Sequence, residues 1–163
     1  MPRVLLVEDD LSLGRTLTER LEKERLDVTW AQAVVGRALV GLAVGDALAH
    51  LVGGWTGGTG VADLDPAEVR WMLDQHLWTT LNVLQAVVPG MAARGFGRVV
   101  AISSPFATTP RPKGASYAMA KAAEEVLVRS VAREHASDGI TANLLVVKAV
   151  DAAHERETAP SKG

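Results

Sequence analysis

Short apolar runs recur five times along this chain, separated by stretches whose apolar residues return every three to four positions or by polar turns. Val4 to Val7 is the first run, closed by Glu8, Asp9 and Asp10. No polar residue alternates within it, which is the pattern of a strand covered on both faces. Leu13, Leu17 and Leu21 then share one side of a helix that Asp10 or Ser12 could cap. Leu26 to Trp30 reads as a second strand, residues 33 to 44 as a short helix interrupted by Gly36 and Gly41, and Ala47 to Val52 as a third strand. From Asp65, with Pro66 at the first helical position, a long helix turns Val69, Leu73, Leu77, Leu81, Leu84 and Val88 inward. It is expected to break near Pro89 and Gly90. Arg98 to Ile102 reads as the fourth strand, the proline-rich residues 105 to 114 as a loop, Ala115 to His135 as a helix and Ile140 to Val147 as the fifth strand. Residues 148 to 163 are polar and expected to fray.

Strands that alternate with helices pair in parallel through right-handed crossovers. The predicted fold is therefore α/β: a three-layer, doubly wound, five-stranded parallel sheet of order 2-1-3-4-5, flavodoxin-like or a truncated Rossmann fold. Its ligand crevice would open at the carboxyl ends of the first and third strands, where the winding reverses. A chain of 163 residues, 48% hydrophobic, suits one domain over residues 1–163. A net charge of −2 offers no basic field to nucleic acid or an anionic membrane. The first residues lack the apolar core of a signal peptide, no stretch is long enough to span a bilayer, and cysteine is absent, so the protein is expected in the cytoplasm.

Three residues carry the sharpest chemistry. Ser104 follows the fourth strand, Tyr117 lies thirteen positions later, and Lys121 comes four after that. Tyr and Lys at i and i+4 share one helix face. An ammonium beside a phenol favours phenolate and so makes an acid–base group of it. The segment GGWTGGTG, residues 53 to 60, is a functional loop or a flexible join, with Trp55 exposed. Glu8 and Asp9 would be the ligands of a divalent cation such as Mg2+, although two carboxylates leave a hard cation short of oxygens. His50 and His76 read as packed or capping histidines, and Trp71 and Trp78, seven apart, as core or interface residues.

Two resemblances follow from these residues. Residues 1 to about 32, with Glu8 and Asp9 after the first strand, resemble a response-regulator receiver domain. Residues 46 to 163 resemble the later half of a short-chain dehydrogenase/reductase, through DALAHLVGG, GRVVAISS, YAMAK and ITANLL in order. The second resemblance implies that Tyr117 is the general acid or base, that Lys121 lowers its pKa and holds the nicotinamide ribose, and that Ser104 orients a substrate carbonyl. It puts His76 where the family carries an asparagine, and Gly53 at the end of the coenzyme-binding strand. It also implies a homodimer through the helices over residues 66–93 and 115–135, with Trp71, Trp78 and Val128 as an apolar patch.

Each parent lacks a part. The family's glycine-rich phosphate turn is replaced by Glu8 to Gly14, and the receiver's phosphoacceptor aspartate by His50, Leu51 and Val52. The reading that follows is an engineered or recombined chimera, joined over residues 33–45, with neither activity intact and no cofactor. The alternative is an NAD(P)-dependent oxidoreductase for a small carbonyl or alcohol, and a phosphorelay module is a second alternative.

Overall fold

The computed structural model describes residues 1–32 and 45–148. The helix expected over residues 33 to 44 and nearly all of the polar tail lie outside the described residues. Five parallel strands form one sheet of order β2-β1-β3-β4-β5, as the alternation of apolar runs and helical stripes predicts. They are β1 (Arg3–Val7), β2 (Asp27–Ala31), β3 (Ala47–His50), β4 (Gly97–Ser103) and β5 (Ile140–Val146). The helices are α1 (Leu11–Lys23), α2 (Pro66–Leu73), α3 (Thr79–Arg94) and α4 (Ala115–Glu134).

β1 is buried from Val4 to Val7, so both faces of the sheet are covered at its centre. Leu5 and Val7 join Leu48, Val83, Val87, Met91, Val99, Val131 and Ile140 in the main core, beneath α3 and α4. Val4 and Leu6 alternate to the opposite face, where α1 packs on β1 and β2. That packing is close. A Cβ on Gly14 would lie 2.2 Å from the Trp30 ring, so the indole can cross α1 only because position 14 has no side chain. The indole Nε1 then donates to the Glu8 carbonyl at 2.9 Å.

Asp10, of the two candidate caps, holds the start of α1 by accepting from the Leu13 amide at 2.8 Å. Asp65 does the same for α2 through the Ala67 amide, with Pro66 at the first helical position. The long helix departs from expectation at two places. It passes through one π turn, Asp74–Trp78, between α2 and α3. It also continues through Pro89 to Arg94 and closes at Gly95, whose φ of 67° is left-handed. Pro89 is exposed, so the carbonyl its ring leaves unbonded faces water, while Val87, Val88 and Met91 keep that turn packed on the core. Among the described residues no helix is long and apolar enough to cross a membrane.

Candidate active site

The π turn places a histidine inside the protein. His76 is 1% exposed, and its Nε2 lies 2.8 Å from the Gly54 carbonyl. A carbonyl only accepts, so Nε2 carries the proton. Gly53 lets the ring lie against the loop: a Cβ there would sit 2.3 Å from His76 Cε1. The ring also meets Tyr117, in the first turn of α4, with centroids 5.5 Å apart and planes at 78°. Phe106 flanks the same phenol edge-on at 6.1 Å. The structure thus brings Gly53, His76, Tyr117 and Lys121 to one cavity of about 250 Å³, with Trp55 and Ser103 also on its wall.

Ser104 leaves β4 in extended conformation and caps a short 3-10 turn, its Oγ accepting from the Phe106 amide at 3.3 Å. Its hydroxyl also stands beside the phenol. Burial raises Tyr117 above the ordinary phenol value, the Ser104 hydroxyl pulls it down, and the charge on Glu124 adds to the rise. Lys121 is buried and donates from Nζ to the Ile102 carbonyl and to Glu124 Oε2, each at 2.8 Å.

Glu124 was not among the residues singled out in the sequence, yet it is 1% exposed and central to the charge arrangement. Its Oε2 also lies 3.4 Å from His76 Nδ1. Burial alone would raise this carboxyl, but His76 beside it and the Lys121 charge leave it below the ordinary carboxylate range. A signal was present: positions 117, 121, 124 and 128 form one helical stripe, and Val128 is buried, so Glu124 had to point inward. Beside it, buried Ser103 donates to Glu125 Oε1 at 2.7 Å, and Glu125 pairs with Arg129. His50, at the end of β3, is fully enclosed and lies 2.9 Å from the Thr80 hydroxyl. Desolvation drives its pKa down to about 4.

The first β–α turn is built differently from the cavity. Glu8 is buried, and its Oε1 accepts from the Asp10 amide at 2.8 Å. Asp10 in turn caps α1. Two amides at the mouth of the helix are therefore satisfied by the chain's own carboxylates. Burial raises Glu8 to about 7, and neighbouring Asp9 adds to the rise. Among the described residues no group of three His, Asp or Glu side chains could hold a metal ion. In the pair Glu8 and Asp9, Glu8 turns inward to the Asp10 amide while Asp9 is exposed.

The short chain dehydrogenase family profile matches residues 15–163. The chain belongs to the short-chain dehydrogenase family. It is 33% identical over 91 residues to an uncharacterized oxidoreductase of Bacillus subtilis, covering 56% of this chain and 38% of that protein. It is 33% identical over 86 residues to 2,3-dihydroxy-2,3-dihydro-p-cumate dehydrogenase of Pseudomonas putida, covering 53% of this chain and 33% of that protein. The chain thus spans only a third to two fifths of the length of these relatives. Among solved structures, the 3-oxoacyl (acyl-carrier-protein) reductase of Agrobacterium tumefaciens C58 with NADP bound is 26% identical, with a TM-score of 0.75 over 98% of this chain and 66% of its own. A short-chain oxidoreductase from Burkholderia thailandensis shares the fold at 20% identity, with a TM-score of 0.76 over 99% of this chain and 75% of its own.

These matches correct the reading of the chain as an inactive chimera. The family match begins at Arg15, inside α1, and its span to residue 163 takes in β2 and the supposed seam at residues 33–45. Nothing supports a receiver segment. The acidic end of β1 that suggested one lies in residues 1–14, outside that match. The apolar patch expected around Val128 also needs correction, because Val128 is 1% exposed; Trp71 and Trp78, at 47% and 50%, are the exposed members.

Proposed function

We propose that this protein is an NAD(P)-dependent oxidoreductase acting on a small carbonyl or alcohol, with Tyr117 as its acid–base group. The observation that carries the reading is the joint placement of Tyr117 and Lys121 on one face of α4, at the wall of a cavity beside Gly53 and Ser103. Two of the three Lys121 ammonium hydrogens are committed, to Ile102 and Glu124, which leaves one for a ribose hydroxyl or the phenol. The ribose and nicotinamide end of a coenzyme suits this donor set. The pyrophosphate end suits residues 8 to 14 less well, since Glu8 and Asp10 already occupy the amides that a phosphate would meet.

When bound, the reduced nicotinamide supplies a hydride. In the direction of carbonyl reduction, Tyr117 gives its proton to the substrate oxygen and Ser104 donates a hydrogen bond to the same atom. The buried Lys121 charge stabilises the phenolate that remains. His76 fixes the ring of Tyr117 from its edge. The same reading carries a homodimer through the helices over residues 66–93 and 115–135, for which exposed Trp71 and Trp78 supply apolar surface. Calorimetric titration with NADPH and with NADH tests the proposal. Saturable binding of either one is expected; heat no greater than dilution for both would remove it.

A further inference from the structure

Glu124 has no place in the reaction just described, yet it sits where it must affect it. Its carboxylate is enclosed, holds the Lys121 ammonium at 2.8 Å and faces His76 Nδ1 at 3.4 Å. Its second oxygen, Oε1, is buried with no hydrogen-bond partner among the described residues. His76 Nε2 donates to the Gly54 carbonyl, and its Nδ1 stands 3.4 Å from the carboxylate with no hydrogen-bond partner among the described residues. The carboxylate thus holds the ammonium of a lysine that borders Tyr117 and stands beside a histidine that does the same.

We propose that Glu124 is a positioning residue that draws the Lys121 ammonium toward itself and divides that cation's field, so that Tyr117 receives only part of the stabilisation a free lysine would give its phenolate. The inference rests on the acid–base role of Tyr117 for its meaning, though not for its test. Other charged and titratable groups face this centre from each packed element. His50 comes from β3, His76 from the π turn, Glu68 from α2 through its 2.6 Å bond with Ser116, and Lys148 from beyond β5 at the cavity wall. Glu125 and Arg129 pair with each other on α4, so they contribute little net charge. Among these groups only Glu124 touches Lys121 directly. Its charge raises the Tyr117 phenol, in the same sense as burial does.

Tyr117 is the chain's single tyrosine, so the near-ultraviolet absorbance of tyrosinate reports this one site. Glu124→Gln should move the tyrosinate midpoint down by about 1 pH unit, the low end of the effect of removing a neighbouring like charge. Glu124→Asp, which keeps the charge but withdraws it from Lys121, should fall between wild type and Glu124→Gln. Circular dichroism at each pH identifies folded samples, and if Glu124→Gln does not fold, Glu124→Asp decides alone. A midpoint unchanged from wild type in the folded variants would overturn the proposal. Where turnover is measurable, the pH profile of kcat should shift with the midpoint. A shifted midpoint without turnover leaves this inference standing and removes the oxidoreductase reading instead.

Discussion

Lowering the pH should unload a specific part of the protein's stability through His50. In the folded chain this imidazole is enclosed at the end of β3, within 2.9 Å of the Thr80 hydroxyl, and its Nδ1 has no partner among the described residues. Desolvation is the main reason its pKa falls from the ordinary 6.5 to about 4; Lys121 and His76 add to the fall, while Glu124 opposes it. Below about pH 6.5 the unfolded chain takes up a proton there that the folded chain refuses until about pH 4, so stability is lost across that interval and levels off beneath it. At about 1.4 kcal/mol per pH unit, the loss comes to about 3 kcal/mol, a large share of a small domain's stability. Glu8 works in the opposite sense. Its pKa is raised to about 7, so its contribution is complete below the ordinary carboxylate value and is lost as the pH rises through about 7. Wild type alone would therefore show a flattened profile. The informative quantity is the difference between wild type and His50→Gln, in which Glu8 cancels. Urea unfolding followed by tryptophan fluorescence should give a difference that shrinks by about 3 kcal/mol, in favour of the variant, between about pH 7 and about pH 4. A difference independent of pH would refute the burial argument for His50.

Three further outcomes follow from the same geometry. Gly53→Ala should cost about 1–3 kcal/mol, because its Cβ meets a His76 ring that Gly54 and Glu124 hold in place; Gly60→Ala, with open space around it, should be neutral in the same melt. Coenzyme affinity should rise as the pH falls from about 8 to about 6, by about fivefold for one charge at water-like screening, because Glu8 takes up a proton near the pyrophosphate; Glu8→Gln should abolish that dependence in a fluorescence titration. Light scattering should show a dimer that Trp71→Glu with Trp78→Glu disperses, and a monomer at high concentration in wild type would exclude the interface.

The sheet was legible because parallel central strands must be apolar throughout, and β1 shows that pattern without ambiguity. Alternation implied a parallel sheet, and 2-1-3-4-5 was the simplest order for it. Helix ends were less legible: Pro89 reads as a stop, but exposure on one face and packing on the other let α3 continue to Gly95. Ser104, Tyr117 and Lys121 could be picked out because GRVVAISS and YAMAK resemble the short-chain dehydrogenase pattern; spacing alone puts only Tyr117 and Lys121 on one helix face. Glu124 and His50 could not be weighed from spacing, since their effect depends on enclosure and on which neighbours reach them. The receiver-like reading of the first strand found no support, and its acidic residues have a local use. Carboxylates after a buried strand are common to any doubly wound sheet, and here Glu8 and Asp10 serve the backbone of the turn and α1.

The oxidation of reduced coenzyme by a panel of small ketones and aldehydes, wild type against Tyr117→Phe, bears most directly on the account. It predicts turnover in wild type and a loss of about a hundredfold or more in the variant, the scale of a positioned proton donor, with folding unchanged. Turnover retained in Tyr117→Phe, or none in wild type despite bound coenzyme, would contradict it.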